Sequence, residues 1–196
     1  MNMNIVFPDR KSIGEDLDLS GFGNFGNVTM FDYSSDQEIP ERIKDADIIV
    51  TNKCRINRQT TGGAEHLKLV CVTATGTNNL DKAFLAERGI EWRNVAGYST
   101  QTVAQHTFAL LFYLWEKLRY YDDYVKSGSY AGDRLFTHFA KSFHDLSGNT
   151  WGIIGLGAIG RRVAEIAEAF GCSVQYCSTS GKNHTEDYRE VSFEEL

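Results

Sequence analysis

Three glycines between two apolar runs are the residues whose type and spacing most clearly suit a chemical task. Gly155, Gly157 and Gly160 stand at the first, third and sixth positions of the stretch 155–160. In this spacing the first glycine permits a tight turn, the second lets a pyrophosphate approach the backbone, and the third lets a helix pack closely on a strand. A helix beginning here would direct free N–H groups and its positive dipole end at the phosphates. The pattern therefore predicts a site for two linked phosphates.

The segments on either side of the turn come in the order that such a site requires. Residues 150–154 form a short apolar run typical of a strand, and residues 161–170 carry apolar side chains at helical spacing. Gly171 suits the end of that helix, and residues 173–177 predict a second strand. A glycine-rich turn alone is common, so it is the strand–turn–helix–strand context that favours dinucleotide binding.

The first half of the sequence predicts an α/β domain of its own. Short strands alternate with helical segments, which implies a parallel sheet with helices on both faces. We expect this domain to end at a hinge around Tyr98. The predicted strands are 4–7, 28–33, 47–51, 69–73 and 90–93, and the predicted helical segments are 39–44, 60–67 and 79–88.

A single long helix is predicted from about Thr100 to Lys126, followed by a polar loop, 127–149, that leads into the strand before the glycine turn. Apolar side chains at helical spacing mark the face that we expect to be buried. The residues of that face are Val103, Thr107, Leu110, Leu111, Leu114 and Leu118.

Composition and charge exclude several classes of protein. The 196 residues carry a net charge of −6 and no basic cluster, which argues against nucleic acid as the main partner. The four cysteines lack CxxC spacing, so we expect neither a metal site nor a redox pair, and we expect reduced thiols in a cytoplasmic protein. The beginning of the chain does not resemble a signal peptide. The most apolar stretch of the whole sequence, 103–115, is shorter than the ~20 residues of a membrane span.

Taken together, these motifs resemble the D-isomer-specific 2-hydroxyacid dehydrogenase family, which includes glycerate, hydroxypyruvate, phosphoglycerate and D-lactate enzymes. The stretch 73–81, TATGTNNLD, resembles a glycine loop after the fourth strand of the family's first domain. The stretch 102–107, TVAQHT, resembles the start of a family helix, with Gln105 where glutamate is common. The stretch 146–160, LSGNTWGIIGLGAIG, is close to the family's most specific signature.

The resemblance implies a fold and a function. The fold would be α/β, with a flavodoxin-like first domain in residues 1–98 that serves as substrate and lid domain. Residues 99–196 would be the beginning of a Rossmann dinucleotide-binding domain. The function would be that of an NAD(P)-dependent oxidoreductase, which transfers a hydride between nicotinamide and a small D-2-hydroxy or 2-keto acid of the glycerate or hydroxypyruvate type. The cofactor carries that chemistry and the protein supplies position and charge. The intact enzyme would be a homodimer with the long helix at its interface.

The same resemblance implies the site residues. Thr75 and Gly76 would offer backbone N–H groups to the substrate carboxylate, although a simple glycine turn after a strand is the alternative. Ala158 and Ile159 would donate N–H groups to the pyrophosphate. The expected cofactor contacts are Thr75, Gly155, Gly157, Ala158, Ile159, Gly160, Ser178 and Thr179.

The adenosine ribose is the point at which the sequence departs from the family pattern. An aspartate usually lies at the end of the second strand, about 20 residues beyond the glycines. Ser178 occupies that position here and Thr179 follows it. A serine neither binds both ribose hydroxyls strongly nor repels a 2′-phosphate, and Lys182 is near enough in sequence to meet one. We expect NAD on family habit and leave NADP open.

A second departure is that the family's catalytic arginine, glutamate and histidine would lie beyond Leu196. Ser192 and Glu195 have the spacing of a helix capping box, and only two strands of the second domain are predicted before the end. We therefore expect a truncated enzyme whose 196 residues are inactive alone. A non-catalytic NAD-sensing module of the corepressor kind and a non-functional remnant are the alternatives.

The sequence does not identify the 2-keto acid. Lys53 and Arg55, just after the third strand, either face the substrate cleft and favour an acidic substrate or are solvated surface charges.

Overall fold

The computed structural model describes residues 2–196 and divides the chain between Tyr98 and Ser99 into two compact units. The first unit contains a five-stranded parallel sheet in the order β2-β1-β3-β4-β5. Its strands are β1 (Met3–Phe7), β2 (Gly26–Met30), β3 (Ile48–Thr51), β4 (Leu69–Val72) and β5 (Glu91–Asn94). The predicted α/β class is confirmed. The second strand lies earlier than predicted, because its pairing with β1 starts at Gly26 rather than at the first apolar side chain.

Helical segments cover both faces of this sheet. They are the short α1 (Ile39–Arg42), α2 (Arg58–Thr61) and α3 (Lys82–Glu87), with two 3₁₀ turns at Arg10–Ser12 and Ser20–Asn24. Ile49 and Val50 follow each other in β3 and belong to separate apolar clusters, yet both are buried. Burial on both faces is typical of a parallel sheet covered by crossovers, and it explains why these strands are continuous apolar runs.

The carboxyl ends of β1 and β3 are joined by a buried side chain. Asp9 is 4% exposed, and its carboxylate accepts hydrogen bonds from the backbone N–H of Asn52 (3.0 Å) and of Lys53 (2.7 Å) and from the Ser12 hydroxyl (3.0 Å). From β1 the chain adds β2 on one side and then β3 on the other, so the strand order switches between β1 and β3, which is where a crevice opens in such sheets. The chain's own carboxylate therefore fixes the loop that follows β3.

The second unit contains a three-stranded parallel sheet in the order β6-β7-β8. The strands are β6 (Thr150–Ile154), β7 (Ser173–Cys177) and β8 (Arg189–Glu190), and α7 (Ala158–Ala169) connects the first two. The expectation of only two strands was wrong. The third is two exposed charged residues long, so no apolar pattern marks it in the sequence. The predicted capping box is present, since Ser192 and Glu195 exchange two hydrogen bonds.

The predicted long helix is two helices. α4 (Thr100–Trp115) ends before Lys117, whose φ of 56° is left-handed, and α5 (Leu118–Lys126) follows. A third, single-turn helix, α6 (Ser129–Gly132), comes next. A residue in the left-handed region cannot continue a right-handed helix.

The predicted buried face of α4 was only partly right, since Leu111 is half-buried against the apolar cluster of this unit but most of the other residues predicted for that face are exposed. Ala104 and Phe108 are buried, whereas Leu110 is 53% exposed and Leu114 is 68% exposed. Phe108 stacks on Trp151, with ring centroids 4.9 Å apart. Apolar residues surround much of this helix, so their spacing alone did not determine which face packs on the sheet. Among the described residues, no helix is both long and apolar enough to traverse a bilayer.

Candidate functional site

The glycine turn begins where β6 ends. Gly155 has φ = 90°, in the region that favours glycine, and its N–H donates to the carbonyl of Cys177 at 2.9 Å. A methyl group on Gly155 would lie 3.6 Å from the Thr179 hydroxyl, an ordinary contact. The turn therefore requires glycine for its backbone conformation, and it brings the residues after β6 beside those after β7.

Gly160 is required for close packing. A methyl group there would lie 2.4 Å from the carbonyl oxygen of Gly155 and 3.3 Å from Cγ2 of Ile153. Carbon and oxygen atoms cannot approach to 2.4 Å without displacement of the backbone. Any side chain would therefore push α7 away from β6, and the strand and the helix meet only because Gly160 has none.

Gly157 differs from the other two glycines, because the fold gives no reason for it. Its φ of −77° is open to any residue, and a methyl group there would meet no atom within 4 Å. The missing side chain leaves bare main chain facing open space at the N-cap of α7. A phosphate group would fit against this surface, and a Cβ would obstruct it.

The first turn of α7 has unused hydrogen-bond donors. The first bond of the helix runs from the N–H of Arg161 to the carbonyl of Gly157, and no side chain caps the helix. The N–H groups of Ala158, Ile159 and Gly160 therefore have no acceptor among the described residues. With the positive end of the helix dipole, they can hold an anion.

The end of β7 carries an unsatisfied polar group. The hydroxyl of Ser178 is buried and has no hydrogen-bond partner among the described residues, which is unusual for a buried polar atom. Ser178 as a whole is half-buried, whereas Thr179, Ser180 and Lys182 are exposed. The structure thus places the predicted ribose residues, Ser178 and Thr179, next to the predicted phosphate turn.

The segment after Ser178 is held by a polar network. His184 places Nδ1 2.7 Å from a carboxylate oxygen of Glu190 and Nε2 2.9 Å from the carbonyl of Gly181. Tyr176 donates its hydroxyl to the same carboxylate oxygen at 3.0 Å. Both ring nitrogens face acceptors, so the doubly protonated imidazolium satisfies both. Chiefly the hydrogen bond with Glu190, and then the Gly181 carbonyl, raise the pKa of His184.

Arg161 is a residue of this region that the motif analysis missed. Its guanidinium donates to the carbonyl of His184 at 3.0 Å, so it lies against the segment after β7. Its neighbour Arg162 is engaged elsewhere, with Gln101 (2.8 Å) and Glu165 (2.8 Å). The only sequence signal for Arg161 is its place directly after the third glycine.

Thr75 and Gly76 lie in the first unit, on the exposed loop after β4. The Thr75 hydroxyl donates to the carbonyl of Val95 (3.0 Å), and the side chain of Asn94 donates to the carbonyl of Thr75 (2.7 Å). These bonds anchor the loop to the end of β5. The N–H groups of Thr75 and Gly76 find no acceptor among residues 2–196 and stay available to a ligand.

A cavity of ≈ 870 Å³ opens at the carboxyl ends of β1, β2 and β3 in the first unit, and Lys53, Cys54 and Arg55 contribute to its wall. Lys53 and Arg55 are exposed, and Arg55 lies 3.7 Å from a carboxylate oxygen of Asp36. Burial raises the pKa of the Cys54 thiol to about 11, so it is protonated and a poor nucleophile. In the described part of the chain, no cluster of three or more histidine, cysteine or acidic residues could hold a metal ion.

Comparison with known proteins identifies the family. The family described as D-isomer specific 2-hydroxyacid dehydrogenase, catalytic domain, matches residues 8–195. The chain belongs to this family. The resemblance drawn from the glycine loop and the turn motif is thereby confirmed.

Two curated relatives show how much of a family member the chain represents. It is 36% identical over 174 residues to a putative 2-hydroxyacid dehydrogenase of Haemophilus influenzae, covering 89% of this chain and 55% of the relative. It is 36% identical over 177 residues to a glycerate dehydrogenase of Methylorubrum extorquens, with the same coverage, 89% and 55%. The chain thus spans just over half the length of these relatives.

Solved structures agree on the fold. An acyclic imino acid reductase (Bsp5) in complex with NADPH and D-Arg has a TM-score of 0.83 at 26% identity, over 99% of this chain and 62% of that one. The TT0316 protein of Thermus thermophilus has a TM-score of 0.82 at 26% identity, over 98% of this chain and 61% of that one. The predicted combination of a flavodoxin-like unit and a Rossmann-type unit is confirmed.

Proposed function

We propose that these residues belong to an NAD(P)-dependent oxidoreductase that transfers a hydride between nicotinamide and a small D-2-hydroxy or 2-keto acid. The observation that carries this proposal is Gly157. The fold itself requires Gly155 and Gly160, but nothing in the packing requires Gly157. A glycine without a packing role, set between them at the start of a helix with free N–H groups, is explained by a phosphate ligand.

In this proposal each part of the turn has a distinct task. The N–H groups of Ala158 and Ile159 bind the pyrophosphate, with Gly155, Gly157 and Gly160 allowing its approach. Ser178 and Thr179 bind the adenosine ribose. When bound, the nicotinamide supplies the hydride chemistry, and the protein's part is to hold and orient it.

The substrate class rests on the first unit and on the relatives. We propose that Thr75 and Gly76 bind the substrate carboxylate through their free N–H groups, in residues 1–98 as the substrate domain. A hydroxypyruvate reductase of Blautia hydrogenotrophica is 31% identical over 188 residues. The name of the glycerate dehydrogenase above indicates a substrate of the same chemical class. Both names support a three-carbon 2-hydroxy or 2-keto acid of the glycerate or hydroxypyruvate type.

Calorimetric titration of the 196-residue chain with NADH and with NADPH tests the cofactor proposal. We expect one nucleotide to bind per chain, and a chain that is folded by circular dichroism but binds neither would refute the proposed function. We also expect no turnover of hydroxypyruvate or glyoxylate by these residues alone, since the family's arginine, glutamate and histidine are not among them. Measurable turnover would overturn that second expectation. Cofactor binding without turnover by the intact protein would favour a sensing module.

The assembly belongs to the same proposal. Leu110 and Leu114 of α4 are exposed, although they are apolar and lie on one helix. Leu118 and Val125 of α5 are exposed as well. We propose that these side chains lie at the interface of a homodimer in the intact enzyme, which we place in the cytoplasm because its four cysteines are free thiols.

A further inference from the structure

We infer that the ribose end of this site is built for a 2′-phosphate, so that the cofactor is the phosphorylated dinucleotide, NADPH. This inference rests on the proposed function and makes it more specific. It also reverses the expectation of NAD, which rested on family habit. Three features around the end of β7 support it: an unsatisfied hydroxyl, a segment free of carboxylates, and two cations without an acidic partner among the described residues.

The unsatisfied hydroxyl is that of Ser178. It occupies the position where an aspartate would accept hydrogen bonds from both ribose hydroxyls and repel a phosphate. A hydroxyl instead can donate to a phosphate oxygen. The Ser178 hydroxyl is buried and forms no hydrogen bond among the described residues, so the fold itself leaves its hydrogen-bonding capacity unused. The hydroxyls of Thr179 and Ser180 come directly after it.

The segment 178–184 contains no carboxylate and one lysine, Lys182, and it also holds His184, whose two ring nitrogens both face acceptors. The acidic residues come later. Asp187 accepts from the hydroxyl of Thr185 (2.7 Å), and Glu190 is occupied by Tyr176 and His184. Lys182 forms no ion pair within residues 2–196. Its charge is therefore available to an anionic ligand.

Arg161 is the second available cation. Its guanidinium forms one hydrogen bond among the described residues, to the carbonyl of His184, and this bond holds it against the segment. The described residues offer it no acidic partner, whereas Arg162, one position later, pairs with Glu165. A guanidinium with several free N–H donors binds a phosphate well.

These groups form one end of the proposed dinucleotide site. The Thr179 hydroxyl lies 3.6 Å from where a Cβ on Gly155 would be, so the ribose end adjoins the pyrophosphate turn. A 2′-phosphate on the adenosine would therefore adjoin hydroxyl donors and two cations, and the nearby carboxylate of Glu190 is already bound by Tyr176 and His184. Hydrogen bonds to charged groups of this kind correspond to a preference for the phosphorylated cofactor of at least about tenfold.

The test is a set of calorimetric titrations of the 196-residue chain with NADPH, NADH, 2′,5′-ADP and 5′-ADP. We expect NADPH to bind at least about tenfold more tightly than NADH, and 2′,5′-ADP more tightly than 5′-ADP by a similar factor. The variants Arg161→Ala and Lys182→Ala should weaken NADPH binding and leave NADH binding unchanged. Arg162→Ala is the matched control, because it removes the same charge from the same helix and should change neither affinity. Ser178→Asp should reverse the preference.

The outcomes separate this inference from the proposed function. A folded chain that binds neither nucleotide refutes the proposed function itself. Binding of both within about threefold, or tighter binding of NADH, overturns the inference and leaves the function standing. An equal loss of both affinities in Arg161→Ala would show that Arg161 only holds the segment, and would overturn its assignment as a phosphate ligand.

Discussion

Exchanging single glycines for alanine separates the residue that the fold needs from the one that the ligand needs. In Gly160→Ala the new methyl group lies 2.4 Å from the carbonyl oxygen of Gly155. Overpacking of this kind costs about 1–3 kcal/mol, and we expect the upper part of that range because the neighbour is backbone rather than a flexible side chain. The better helix propensity of alanine returns up to ~1 kcal/mol. The net loss of folding free energy should be about 1–2 kcal/mol.

Gly157→Ala is the matched counterpart. The methyl group meets no atom within 4 Å, and the backbone conformation suits alanine. Alanine restricts the unfolded chain, which stabilises the folded state by about 0.4–1 kcal/mol. Alanine is also a poorer N-cap residue than glycine, which costs a similar amount. We therefore expect almost unchanged stability but lost cofactor binding, because the methyl group occupies the surface that the pyrophosphate approaches.

The assay follows each unit separately. Urea denaturation monitored by the amide NMR signals of residues 158–169 reports on the second unit, and at a slope of about 1–3 kcal/mol per molar urea the Gly160→Ala midpoint should fall by roughly 0.5–1 M. Titration with the reduced cofactors then compares binding. An unchanged midpoint for Gly160→Ala, or wild-type affinity for Gly157→Ala, would refute the reasoning.

Two further predictions concern residues outside the glycine turn. Replacing Asp9 with asparagine removes a buried carboxylate that accepts three hydrogen bonds, and should destabilise the first unit by about 1–3 kcal/mol. Its urea midpoint should fall, while that of the exposed-site control Asp32→Asn should not; equal midpoints would contradict the structure. For His184, an NMR titration should give a pKa above the ordinary 6.5, falling towards it in Glu190→Gln. A raised pKa means that the His184 contribution to stability is complete below about pH 6.5 and is lost as the pH rises through the folded-state pKa. The pKa of Glu190 is lowered, mainly by its hydrogen bond with His184, so the Glu190 contribution to stability is lost only as the pH falls below the ordinary value of 4.5. A measured His184 pKa at or below 6.5 would contradict the hydrogen-bond network.

The sequence by itself determined the features that depend on neighbouring residues. Apolar runs at 48–51 and 69–72 mark buried strands, because both faces of a parallel sheet exclude water. The glycine spacing at 155–160 marks the turn, because backbone conformation and close packing are local requirements.

Tertiary structure decided the features that join distant parts of the chain. The buried face of α4 depends on which side chains meet Trp151, and an apolar helix offers several candidates. The strand β8 forms because β7 supplies backbone partners, not because Arg189 and Glu190 favour a strand. Arg161 reaches the segment after β7 across 23 positions of sequence, so its place beside the ribose end is visible only once helix and sheet have packed.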